Sequence, residues 1–482
     1  MFTKSFFLDS FNNFLGRIQS SKAAVFVKDS LLFSRIDFLI WLVFIMTVIS
    51  TCFMGSGAIG ALALIFFALN FMRLLFKKGE KIEISKLDAA FIVYFLFIFV
   101  SLMGSSLFVM SLKGFLKNIV YFLFYFSSVY FFLNNKKKVL PTVLLISVIM
   151  SYESIIAVLQ HFNRVEALAG WVDTSHMTSE NELISRSFGT LNPSNPNLLG
   201  GYLITGLSSV FACFALAFTK MRKRQDTQIK PEKPSECLTT ADKAKTGIFA
   251  ALFVLNLIAI IFTGCRGAYL GLLAFFALLI WLLNYYVKKV YGGFSNIKKR
   301  YKNLILGLFS AGIAAIALTP SISRRFISIF HFRGDSSISF RMNVYEAAFD
   351  MFQDNPFLGI GLGNVNFREI YGLYMKTGFD ALGSYCVPLE VAVESGVFAL
   401  IFFLIFVGYA ASKAFRVFLD ENTNLTAKIV MFSIVLCIVS TMAHGLFDTV
   451  WYRPQLQIIF WTNIAILNSY IITYKRTQKT NA

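Results

Sequence analysis

Apolar runs long enough to cross a bilayer recur along almost the whole chain, and no other feature restricts its fold so strongly. A span needs about 20 mostly apolar residues. Runs of that kind occupy 38–54, 57–76, 88–107, 112–133, 139–160, 198–219, 247–265, 268–287, 303–320, 388–411, 428–446 and 455–473. Hydrocarbon offers no partner for backbone N–H and C=O groups, so each run must satisfy them internally, as a helix. Composition points the same way, with 56% hydrophobic and only 15% charged residues, against roughly 25% charge in a soluble domain. The sequence therefore predicts an all-α, polytopic membrane protein of about twelve transmembrane helices. Gly55-Ser56-Gly57 reads as the tight turn between the first two, and Arg266 marks where a nearly continuous apolar run must reverse.

Lys and Arg set the expected orientation. They gather in alternate connections, 73–86, 134–138, 220–245, 288–302 and 412–428, and in the tail, whereas 321–387 balances basic against acidic residues. Basic loops stay inside, so both termini are expected in the cytoplasm. The net charge of +19 is thus spent on topology and forms no nucleic-acid surface. The expected organisation is a cytoplasmic or interfacial N-terminal segment, 1–37, a membrane domain, 38–473, and a cytoplasmic tail, 474–482. Two long outer loops, 161–197 and 321–387, interrupt the membrane domain, and 220–245, rich in Lys, Pro, Glu and Thr, reads as a disordered linker. Within the second loop, Met342, Tyr345, Phe349 and Phe352 recur at helical spacing, predicting an amphipathic helix over 341–354 that rests on the outer interface.

Ionisable residues in such a chain are expensive and mark sites. Arg266 is a guanidinium inside an apolar stretch, flanked by Thr263-Gly264 and Gly267-Ala268, and suits bidentate binding of a phosphate; the alternative is an arginine snorkelling from a helix end. Arg341 heads the loop helix and would share a diphosphate with it, and Arg324 and Arg325 are further basic candidates. Glu390 and Glu394 lie one turn apart at a helix entrance, either as base or cation partner or as a pair satisfied by buried arginines. His444, Asp448 and Arg453 crowd one short connection, where His444 can pass protons, or Asp448 and Arg453 pair to close the hairpin. Six scattered cysteines form no CxxC pair, and the sequence displays no metal cluster and no cofactor motif.

The stretches RSFGTLNPSNPNLLGGY (186–202), TGCRGAYLG (263–271), 341–363 and 385–396 resemble the O-antigen ligases and polysaccharide polymerases. That resemblance implies a multi-pass protein of the bacterial inner (plasma) membrane with a large outer loop. It implies metal-independent glycosyl transfer, without cofactor, from an undecaprenyl-diphosphate carrier to a glycan or lipid acceptor. Arg266 and Arg341 match the arginines that hold the diphosphate. Where family ligases carry the histidine that activates the acceptor, eleven residues before the glycine of Glu394-Ser395-Gly396, this chain has Tyr385. The proton would then fall to Tyr385, Glu390 or His444. The stretches 384–396 and 444–457 look closer to a cyanobacterial-type branch labelled a bicarbonate transporter. Anion transport, or a catalytically silent role in envelope assembly, stands as the alternative.

Overall fold

The computed structural model describes residues 2–163, 165, 186–227, 238–291 and 336–480. The expected span 303–320 and the candidates Arg324 and Arg325 lie outside the described residues. The described chain is helical without strands, and ten helices are long and apolar enough to cross a membrane. The protein is an all-α polytopic membrane protein. The spanning helices include Ile36–Phe53, Ser56–Phe76, Lys86–Gly104, Phe108–Asn134, Val139–Phe162, Pro196–Thr227, Thr240–Phe262, Val387–Leu419, Leu425–His444 and Pro454–Thr480. The run expected at 268–287 belongs to the helix Arg266–Tyr291, whose strongly apolar part, Arg266–Leu282, is shorter.

Helix 196–227 sits at the centre, packed against helices 139–162, 240–262, 266–291, 425–444 and 454–480. Its first half is built from small residues, among them Gly200, Gly201, Thr205, Gly206, Ser208 and Ser209, and from Leu198 to Ala212 nearly every position is buried. Small side chains let neighbouring helices approach closely where lipid supplies no hydrophobic drive for association. Elsewhere the many phenylalanines fill space: Phe44 stacks on Phe131 at 5.5 Å and meets Phe132 edge-on at 5.7 Å.

Several expectations are corrected here. The 220–245 segment is not wholly a linker: one helix runs on to Thr227, and the next is capped by Thr239 and Asp242, with Asp242 bonded to Arg224 at 2.5 Å. The N-terminal segment forms the helices Phe2–Gln19, Lys22–Lys28 and Leu31–Ser34. Gln19 donates to the carbonyls of Leu74 and Glu80, at 2.9 and 3.0 Å, which fastens the segment to the 74–82 connection.

At the opposite end of the bundle, 336–386 folds over the spans as a small unit with its own core. The helix Ser336–Asp354 buries Val344, Ala347, Ala348 and Met351 against Ile360, Phe367, Tyr371 and Val393. Of the predicted apolar stripe, Met342 and Phe349 are about half exposed, whereas Phe352 packs against this core. Helix formation is as expected; the protein-facing stripe is the smaller, neighbouring one. A second short helix, Asn364–Tyr371, completes the unit.

Candidate functional site

The site is organised by a break in helix 387–419. Gly396 has φ 79°, a conformation that an L side chain rarely adopts. The helix therefore loses its regular bonds there. Val397 N–H donates to the Pro356 carbonyl at 2.8 Å, and the carbonyl of Val393 that it leaves behind accepts from Ile360 N–H at 2.9 Å. Gly361 N–H and the Ser101 hydroxyl both donate to the Glu394 carbonyl, at 3.0 and 2.7 Å. Segment 356–363 thus re-satisfies backbone groups at membrane depth, the condition under which irregular backbone is tolerated there.

Both glutamates belong to this construction. The Glu394 carboxylate accepts from Gly363 N–H at 2.8 Å, and that of Glu390 accepts from Ser384 N–H. Among the described residues, backbone amides rather than buried arginines hold them. Together they anchor the two ends of 363–384 to one helix.

Above that anchor the chain passes through Tyr385, the only non-glycine residue with positive φ (54°) among those described. Its carbonyl accepts from the Tyr345 hydroxyl at 3.3 Å, and its ring lies 5.8 Å from the Arg341 guanidinium. Burial, with Asp448 adding to it, pushes the Tyr385 phenol up to about 12. A phenol raised in this way keeps its proton at neutral pH.

Arg341 reaches toward Asp448, with Nη2 4.0 Å from Oδ2. Asp448 therefore faces Arg341, whereas Arg453, its expected partner, is exposed. A second guanidinium joins them. Arg186 donates from Nε to the Thr263 carbonyl at 2.9 Å and from Nη2 to Asn197 Oδ1 at 2.6 Å, both uncharged acceptors. Burial pushes its pKa down; the charge of Arg341 acts in the same direction and that of Asp448 against it. Arg186 stands at the start of a loop held by Gln160, whose Oε1 accepts from Phe188 and Gly189 N–H at 3.1 and 2.8 Å. Glu153 holds the same loop by accepting from Thr190 N–H at 2.9 Å.

His444 ends its helix beneath this group, fully enclosed, with Nε2 3.7 Å from Cys265 Sγ. Gly201 and Gly267 clear the space for its ring, since a Cβ on either would come within 3.0 to 3.3 Å of imidazole carbons. Arg266 opens the next helix, half-buried, and it is Cys265 beside it that makes the contact with His444. Arg341, Tyr385, Asp448 and His444 are thus brought together with Arg186, while Glu390 sits one layer below as an anchor.

Beside the group, a cleft of about 480 Å3 opens between helix 336–354 and the start of helix 387–419. Met342, Tyr345, Phe349, Cys386 and Leu389 form most of its wall, with Asn343 and Glu346.

Residues 251–404 match the O-antigen ligase family model. The ligase-like segment takes in the Thr263–Arg266 turn, the loop unit, Tyr385, both glutamates and the Gly396 break. Arg186, His444 and Asp448 lie outside it and meet it in space. The match gives no support to the bicarbonate-transporter branch. Among curated proteins, none matches the chain.

Arg186 was not foreseen as a binding residue, although the sequence carried a usable signal. It is a lone cation beside a Pro- and Asn-rich loop, in a region where basic residues are otherwise scarce. Arg266 carries the same signal.

Proposed function

We propose that this protein is a membrane glycosyltransferase of O-antigen ligase type, moving a glycan from an undecaprenyl-diphosphate carrier to an acceptor hydroxyl. The reaction takes place on the outer face of a bacterial inner membrane, with both termini in the cytoplasm. The observation that carries this reading is the meeting of Arg186 and Arg341 beside Asp448. Two guanidiniums side by side offer a diphosphate planar, paired hydrogen bonds. The same charges stabilise the diphosphate as it departs, which is the largest electrostatic demand of the reaction. Arg266, at the adjoining helix start, is assigned to the same anion. The apolar cleft beside Arg341 takes the lipid next to the diphosphate, with the exposed Met342 and Phe349 facing acyl chains.

The test is reconstitution. Full-length protein in vesicles, given radiolabelled undecaprenyl-diphosphate glycan extracted from host membranes and the host's envelope lipid, should release undecaprenyl diphosphate and label the acceptor lipid. Bicarbonate uptake by the same vesicles without glycan transfer would overturn the proposal in favour of transport.

A further inference from the structure

The transferase reading leaves open which group takes the proton of the acceptor. Tyr385 holds its own proton too tightly, Glu390 is engaged by Ser384 N–H, and His444 Nε2 faces Cys265. Asp448 differs from all three. Its Oδ1 is fixed by Val450 N–H at 3.1 Å, whereas Oδ2 is buried and has no hydrogen-bond donor among the described residues. The residue is only 4% exposed, and a buried carboxylate oxygen without a donor is costly unless something else occupies the place. Arg341 Nη2, at 4.0 Å, attracts it without bonding it. Tyr345, which lines the cleft, donates to the Leu446 carbonyl at 3.4 Å, so the connection bearing Asp448 adjoins the cleft.

We infer that Asp448 is the general base of the transfer, resting on the function proposed above and taking the part that the family histidine would play at the position of Tyr385. Asp448 Oδ2 accepts the proton of a saccharide hydroxyl as that oxygen bonds to the anomeric carbon of the donor. The anomeric C–O bond to the diphosphate breaks, and its electron pair leaves with the diphosphate, where Arg341 and Arg186 meet the added charge. A base fixed through one oxygen and without a donor at the other, beside the leaving-group cations, has the hydrogen-bonding capacity that general-base catalysis needs.

The experiment compares wild type, Asp448→Asn and Asp448→Glu in the reconstituted assay, with release of undecaprenyl diphosphate as readout. Asn keeps the shape and the Val450 contact but cannot take the proton. Its kcat should fall roughly 100- to 10,000-fold, the usual range for losing a general base. KM for the lipid-linked glycan, and binding of undecaprenyl diphosphate alone, should stay within about twofold or tighten, because a negative charge beside the anion is removed. The acid-side fall of the wild-type kcat profile should vanish in Asn and persist, at lower rate, in Glu. The charged and titratable groups facing Asp448 are Arg341 and Tyr345 on the loop helix, Arg186, Cys265, Tyr385 and His444. The limb is therefore assigned by its loss in Asn.

A raised KM with kcat unchanged would make Asp448 only a partner of Arg341 and overturn the inference. So would a retained acid limb in Asn. If Asn does not assemble, Glu decides: an active Glu enzyme without the acid limb overturns it equally. A wild type that releases no lipid diphosphate sinks the transferase reading itself, which is a separate result.

Discussion

Arg186 and Arg341 reach one place from segments far apart in the chain, Arg186 held by the neutral acceptors Thr263 and Asn197 and Arg341 facing Asp448. Arg186→Ala and Arg341→Ala should each weaken binding of undecaprenyl diphosphate roughly 10- to 100-fold, the equivalent of about 1.5–3 kcal/mol for a charged hydrogen bond. The double variant should lose less than the sum of the two, because both act on one ligand. Isothermal titration with the lipid in nanodiscs reads this directly, and full additivity would place the two arginines on separate ligands. Arg186→Lys should also bind poorly, since one ammonium cannot serve Thr263, Asn197 and an oxyanion with the geometry of a planar fork. At this scale the sequence was informative about residue type and silent about meeting. Arg266 and Arg341 stood out because a cation in an apolar chain needs a reason. That Asp448 would face Arg341 instead of the nearby Arg453 depends on how the 336–354 helix lies over the 445–453 connection, and no local pattern encodes that.

Among the elements, helix 387–419 and the 336–386 unit depend on each other through the Gly396 break. A Cβ at Gly396 would stand 2.0 Å from the Phe357 carbonyl oxygen, and the backbone there has φ 79°. Gly396→Ala should therefore cost at least about 1–3 kcal/mol from the backbone conformation alone, and the clash displaces 356–361 as well. Thermal unfolding followed by size-exclusion should show the loss, with activity falling further than stability because Tyr385 and Arg341 ride on the displaced unit. The same unit should loosen in alkali. Burial lifts Tyr345, Tyr371 and Tyr385 to about 12 each, against about 10 in an unfolded chain. The unfolded state therefore ionises first, and stability present below pH 10 is lost as pH rises toward 12. Limited proteolysis within 372–383 should accelerate across that window, and a flat profile would mean that the tyrosines are solvated. The loop helix was legible from its 3.6-residue period as one resting on the interface, whereas the face it packs on the protein was not. Met342 and Phe349 are the larger side chains, but the close approach of helix to core selects the smaller Ala347 and Ala348.

At the scale of the molecule, hydropathy makes the spanning helices among the described residues readable, because bilayer thickness acts on composition alone, and the basic loops supply an expectation of orientation. What they cannot carry is the inward gathering of 186–197 and 336–386 over one end of the bundle. Those contacts join Gln455 to the Asn192 carbonyl at 2.8 Å and Val387 N–H to the Gly445 carbonyl at 2.7 Å, between segments distant in sequence. The functional reading stands or falls on which side of the membrane that end faces. Leu373 is 83% exposed at the tip of the loop unit, and Lys22 is exposed on the N-terminal helices at the other end. In intact spheroplasts a membrane-impermeant maleimide should label Leu373→Cys and leave Lys22→Cys untouched until the membrane is opened, with the parent chain as background. The reverse pattern would put the arginine pair in the cytoplasm, away from the leaflet where flipped carrier glycans are presented. Transfer at the outer face would then be untenable, however well the pair fits a diphosphate.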